Sequence, residues 1–169
     1  MRRLVSSLRL VSWVGFGCGT PGPTEPGPPP ALAACTLATP LTPGVPGSPG
    51  HLLPSDINPN GASELAVLMR AMQSDLRASR EALLGGPPAP AMLARHARIR
   101  CAWPTDLADR DEAFEAFAIH YLTAVERREA ADADPRVAHE RVIDACLACH
   151  AEKCQGPMQA IESLRLPAR

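Results

Sequence analysis

Proline placement constrains this chain more than any other feature. Twelve of its nineteen prolines stand between residues 19 and 60, and only seven in the 109 residues that follow. A proline ring fixes φ and removes the backbone N–H, so no helix can run through "PGPTEPGPPP" (21–30) or "LTPGVPGSPG" (41–50). Regular structure is confined to what comes after, and the chain divides into residues 1–18, 19–60 and 61–169.

Residues 1–18 read as a signal peptide. Arg2 and Arg3 give a positive start, "LVSSLRLVSWVGFG" an apolar run, and Cys18 follows between two glycines. This is the lipoprotein type of signal, in which Cys18 becomes the lipidated N-terminus, although Gly15 stands where a branched aliphatic residue is usual. "LAAC" (32–35) is a better cleavage pattern with no apolar core upstream of it. The expected location is the periplasm or cell envelope, with a membrane tether through Cys18. No run of 18 or more apolar residues is present, so no membrane-spanning helix is expected. Residues 19–60 hold too few large apolar side chains to offset the entropy of ordering, and are expected to be a disordered tether. The net charge of −1 carries no basic surplus for nucleic acid.

From residue 61 the pattern is helical, with breaks at "GGPPAP" (85–90), "CAWPTD" (101–106) and "ADADP" (131–135). The first helix (63–84) carries a stripe of Leu65, Met69, Met72, Leu76 and Leu83, and Gly85 stops it. A shorter helix over about 89–100 has Met92, His96 and Ile99 on one face; a buried histidine there is more often a core residue than a ligand. The third, about 111–130, turns Phe114, Phe117, Tyr121, Leu122 and Val125 inward. Pro135 starts the fourth in the position that proline tolerates, and its inner stripe is Ala138, Val142, Cys146 and Cys149. No stretch alternates with period two. The expected fold is all-α, an antiparallel up-down-up-down four-helix bundle.

"DACLACHAEKC" (144–154) separates this bundle from one that merely buries leucines. Cys146-Leu147-Ala148-Cys149-His150 is a C-x-x-C-H sequence, the attachment signature of c-type haem. Two thiols three positions apart lie on one side of a helix and can add across the two haem vinyl groups, while the adjacent imidazole reaches the iron. Zinc held by Cys146, Cys149, His150 and Cys154, a thioredoxin-like redox pair and plain structural thiols are the rival readings. Adjacent Cys149 and His150 cannot easily wrap one tetrahedral ion, and the redox motif expects a preceding strand.

A C-x-x-C-H near the C-terminus, on the last of four helices, resembles the class II cytochromes c, the family of cytochrome c-prime and its low-spin relatives. The resemblance covers roughly residues 60–155. It implies that Cys146 and Cys149 form the thioethers of a covalently attached haem c and that His150 is the proximal iron ligand. It also implies a distal residue on the first helix, about four turns before its terminal glycine. Met69 lies sixteen residues before Gly85 and is the candidate sixth ligand, with Met72 as the alternative. The aromatic and basic residues that usually follow the histidine are replaced by "AEKCQGPM", and Leu65 stands where a basic residue is common.

On this reading the protein is a monohaem electron-transfer protein and not an enzyme, since nothing pairs a nucleophile with a base. Its partner would be another redox protein, and relatives commonly form homodimers. The alternative is a five-coordinate haem that binds a diatomic gas such as NO or CO for sensing or storage. Helices two and four would end together, so Cys101 and Cys154 are expected to form a disulfide in an oxidising compartment. Cys35 is left without a role.

Overall fold

The computed structural model describes residues 35–168. The signal peptide, Cys18 and residues 19–34 lie outside the described residues. Within them the protein is all-α, with five helices: α1 (Glu64–Leu83), α2 (Leu93–His96), α3 (Glu112–Glu129), α4 (Pro135–Lys153) and α5 (Met158–Glu162). No strand occurs among the described residues beyond one isolated bridge between Leu53 and Ala62. No described helix is long and apolar enough to cross a membrane.

Local chemistry sets the helix ends. The Ser63 hydroxyl accepts from the N–H of Ala66 and caps α1. The other end closes when the N–H of Gly86 reaches the Glu81 carbonyl and that of Gly85 reaches Ala82, with Gly85 at φ +97°. This pair of hydrogen bonds to the last turn requires the left-handed backbone that glycine accepts. Asp111 caps α3 through the N–H of Phe114 at 2.8 Å. Asp134 caps α4 and is followed by Pro135.

The second helix is shorter than its sequence pattern suggests. Only Leu93–His96 is α-helical, and Ala97–Arg100 continues as a tighter 3-10 turn. Contacts tie the helix ends together. Arg98, past α2, pairs with Glu64 at the start of α1. The Glu129 carboxylate at the end of α3 accepts from the N–H groups of Met92 and Leu93. Lys153 at the end of α4 pairs with Asp111 before α3 at 2.6 Å.

The core gathers Leu68, Met72 and Leu76 from α1, Phe114, Tyr121 and Val125 from α3, and Val142, Ile143 and Leu147 from α4. Each large side chain buried here contributes about 1.5–3 kcal/mol. The buried face of α1 is rotated from the expected stripe. Leu68, Asp75 and Ser79 are inside, while Leu65 and Met69 sit half-buried on its shoulder. The reason is polar. Asp75 and Ser79 are drawn in by partners on other helices.

Two buried histidines show those partners. His96 lies between Asp75 (Nε2 to Oδ2, 3.1 Å) and the Tyr121 hydroxyl (Nδ1 to Oη, 2.8 Å). His139, for which the sequence offers no partner, takes the Ser79 hydroxyl on Nδ1 at 3.0 Å and donates from Nε2 to the Leu164 carbonyl at 3.0 Å. Arg128 also donates to Ser79. The pair has the elements of a nucleophile and a base, but Ser79 and His139 are fully buried, so its work is to hold the C-terminal tail. Burial lowers the pKa of both histidines, against smaller opposing contributions from Asp75 for His96 and from the Leu164 carbonyl for His139.

That lowering fixes the sign of an acid effect. A histidine harder to protonate when folded leaves stability complete above its unfolded value of 6.5, and removes it as pH falls below that value. The steepest loss is about 1.4 kcal/mol per pH unit for each histidine. Urea midpoints measured from pH 7.5 down to pH 5, above the range where carboxylates titrate, are expected to fall. His139→Gln is expected to flatten the curve, and a wild-type midpoint constant over that range would refute the effect.

The described part of the Pro-rich stretch is not a free tether. Cys35 forms a disulfide with Cys101 across 66 residues, where a Cys101–Cys154 bond is expected; Cys154 is a free, exposed thiol. The carbonyls of Thr36 and Thr39 accept from Arg110, and that of Thr42 from the Trp103 indole. Gly47 packs so closely on α1 that a Cβ there would lie 2.3 Å from the Glu64 nitrogen. Segments poor in apolar side chains can still be ordered by a covalent bond and by donors to backbone carbonyls. These contacts hold residues 35–47 across the start of α1 and the segment between α2 and α3, and so bring Cys35 to Cys101.

Candidate functional site

The residues expected to hold a haem meet in one place. Met69 and Met72 from α1, Ile99, then Phe114, Phe117, Ala118 and Tyr121 from α3, and Ala145, Cys146, Cys149 and His150 from α4 line a single apolar crevice. Met69 and the cysteine motif, about eighty residues apart in the chain, face the same space. Cys146 and Cys149 are half-buried on the edge of the α4 core face and not in its stripe; Ala145 and Leu147 occupy the interior. The motif thus flanks an opening.

Burial pushes the Cys146 thiol up to about 12, with the neighbouring Cys149 adding to the rise. Cys149 is also raised, again by burial, with Lys153 opposing. Both thiols are therefore protonated at neutral pH. Thiol–disulfide exchange and zinc binding both act through thiolates. Among the described residues no three His, Cys, Asp or Glu side chains are grouped as they would be around a metal ion. The Cys154 side chain is exposed, and its backbone carbonyl is what it brings to the site.

That carbonyl accepts from His150 Nδ1 at 2.9 Å. Since a carbonyl can only accept, Nδ1 carries the proton and the lone pair is on Nε2. Orienting a ligand histidine through its other nitrogen is the usual second contact of a metal-bound imidazole. The bond exists because α4 ends at Lys153 and Cys154 turns away in extended conformation (φ −160°).

The donor set fits a haem in kind: two thiols one helical turn apart, an imidazole with a free Nε2, a thioether sulfur from another helix and an apolar lining. The cavity itself is about 20 Å³, room for roughly one water molecule. Seating a porphyrin requires the half-buried wall, where Met69 and Phe117 lie, to part. His96 is a core histidine, as its position on an apolar face suggests, and Met158 packs against the core. The role of the Cys154 carbonyl is not legible in the sequence, although a histidine three residues before a helix end is a signal for it. No protein-family model, curated protein or solved structure matches this chain.

Proposed function

We propose that the domain is a class II-like c-type cytochrome: it carries one covalently attached haem c in the crevice and transfers single electrons in the periplasm or cell envelope. The observation that carries this reading is the convergence of Met69 with Cys146, Cys149 and His150 on one apolar crevice. Bound there, a haem would supply a one-electron Fe(III)/Fe(II) couple. Cys146 and Cys149 would hold the group to α4 through thioether bonds. His150 presents Nε2, Met69 offers its sulfur from α1, and Ile99, Phe114 and Phe117 keep water out. A thioether ligand and an apolar lining both favour the reduced, less charged iron, and so a raised potential.

The up-down-up-down bundle belongs to the same proposal. Supporting it, the ends of three helices each meet the start of the preceding one: Arg98 with Glu64, Glu129 with the start of α2, Lys153 with Asp111. The Cys35–Cys101 disulfide supports an oxidising compartment. A lipid anchor at Cys18, a redox-protein partner and a homodimer complete the proposal.

The test is the optical spectrum of the protein matured by a haem-attachment system. The expected product is red, retains its haem through acid-acetone extraction and is low-spin in both oxidation states. A colourless protein, or haem lost on extraction, overturns the proposal. A high-spin reduced iron that binds CO moves the function to the binding of a diatomic gas.

A further inference from the structure

Among the residues that line the crevice, Tyr121 leads away from it. Its side chain is 3 % exposed, and its hydroxyl is bonded to His96 Nδ1 at 2.8 Å. His96 Nε2 is 3.1 Å from Asp75 Oδ2, and the Asp75 carboxylate is held at 2.8 Å through both oxygens by Arg95. The Arg95 side chain is 55 % exposed. Four side chains from three helices thus form an unbroken hydrogen-bonded chain from the crevice to solvent. Buried polar groups are costly to place, and a core that needed only packing would hold apolar residues here.

The proton positions follow from the partners. Asp75 accepts, so His96 Nε2 carries a hydrogen and Nδ1 is the acceptor for Tyr121. His96 is then neutral, consistent with the lowering of its pKa by burial. The groups facing it are Asp75 from α1, Arg95 beside it on α2, and Tyr121 and Glu129 from α3; burial raises the pKa of Tyr121, and Cys146 of α4 and Asp75 add to the rise.

We infer that the Tyr121–His96–Asp75 chain couples electron transfer in the crevice to a proton: reduction is accompanied by uptake of one proton at His96. The inference rests on the haem reading. One electron arrives from a one-electron donor protein, and one proton from solvent adds to the lone pair of His96 Nδ1, the ring nitrogen that carries no hydrogen. The added negative charge in the crevice is matched by a positive imidazolium, which Asp75 stabilises. With hydrogens on both ring nitrogens, His96 donates to Tyr121, and the Tyr121 O–H is released from its bond to the ring. No covalent bond other than N–H changes. His96 is the proton acceptor, Tyr121 and Asp75 act through it as positioning residues, and none of the three is assigned contact with iron.

The experiment is a spectroelectrochemical titration of the haem-loaded protein between pH 5 and pH 8, with proton uptake on reduction followed by an indicator dye. The wild-type midpoint potential is expected to fall as pH rises, by up to ~59 mV for each tenfold drop in proton concentration. His96→Gln keeps a donor and an acceptor and cannot take the proton; its potential is expected to be at least twofold less sensitive to pH. Tyr121→Phe, which cuts the chain at the crevice while keeping the ring, guards against loss of fold in the first variant and is expected to weaken the coupling as well. A red wild-type protein whose potential does not move with pH, or variants with the wild-type slope, overturns the relay and leaves the haem reading standing. A colourless protein overturns both.

Discussion

Met69→Ala is expected to convert the haem-loaded protein from low-spin to high-spin and to open the reduced iron to CO. Met69 is the candidate because it lies half-buried at the crevice, with its sulfur free of any core role that needs full burial. Alanine removes the thioether and leaves an apolar wall with no donor, so the share of six-coordinate iron should drop from nearly all to nearly none. The cost in folding stability should be small, on the order of 1 kcal/mol, below the ~2–5 kcal/mol of deleting a fully buried methionine. Met72 makes the opposite prediction. It is 4 % exposed within the core, so Met72→Ala should cost the larger amount and leave the spectrum unchanged. If instead Met72→Ala gives the high-spin spectrum, the sixth ligand is Met72.

The second large effect concerns the disulfide. Cys101→Ser is expected to lower folding stability by roughly 4 kcal/mol, the chain entropy returned to the unfolded state when a 66-residue loop is opened. The native segment around it would loosen too, because the Arg110 and Trp103 bonds to residues 36–42 would lose their covalent anchor. Cys154→Ser should change little, since that thiol is free and exposed, and His150 is held by the backbone carbonyl and not the side chain. Proteolytic mapping without reductant should recover a Cys35–Cys101 peptide. A Cys101–Cys154 peptide, or a Cys101→Ser variant as stable as the parent, would contradict this pairing. The pairing also leaves Cys146 and Cys149 reduced and together for the chemistry proposed for them.

The sequence is informative wherever the deciding interactions are local. Helix limits come within about a residue for both ends of α1 and α3 and for the start of α4, because serine, aspartate, proline and glycine act on the turn next to them. The motif on α4 is legible for the same reason, since three positions on a helix share a side. The candidate distal residue followed from a family resemblance, and the structure brings Met69 to the same crevice as the motif.

What the sequence could not decide depends on residues far apart in the chain. Periodicity ranks apolar side chains, so it chose Leu65 and Met69 for the inner face of α1 and passed over Asp75 and Ser79. Those two are buried because His96 and Arg95, and His139 and Arg128, arrive from other helices to satisfy them. Composition likewise read residues 19–60 as one disordered run, because it counts apolar side chains and is blind to donors elsewhere. Arg110, Trp103 and Cys101 supply the missing partners for residues 35–42. The sequence by itself determined the helices, their ends and the cysteine motif, each set within a turn or two of chain. Only the tertiary structure decided which face of α1 is buried, which cysteine Cys101 meets and that Tyr121 connects the crevice to the surface. Hydrogen bonds and disulfides between distant residues depend on where the chain brings them, and local pattern carries no record of that.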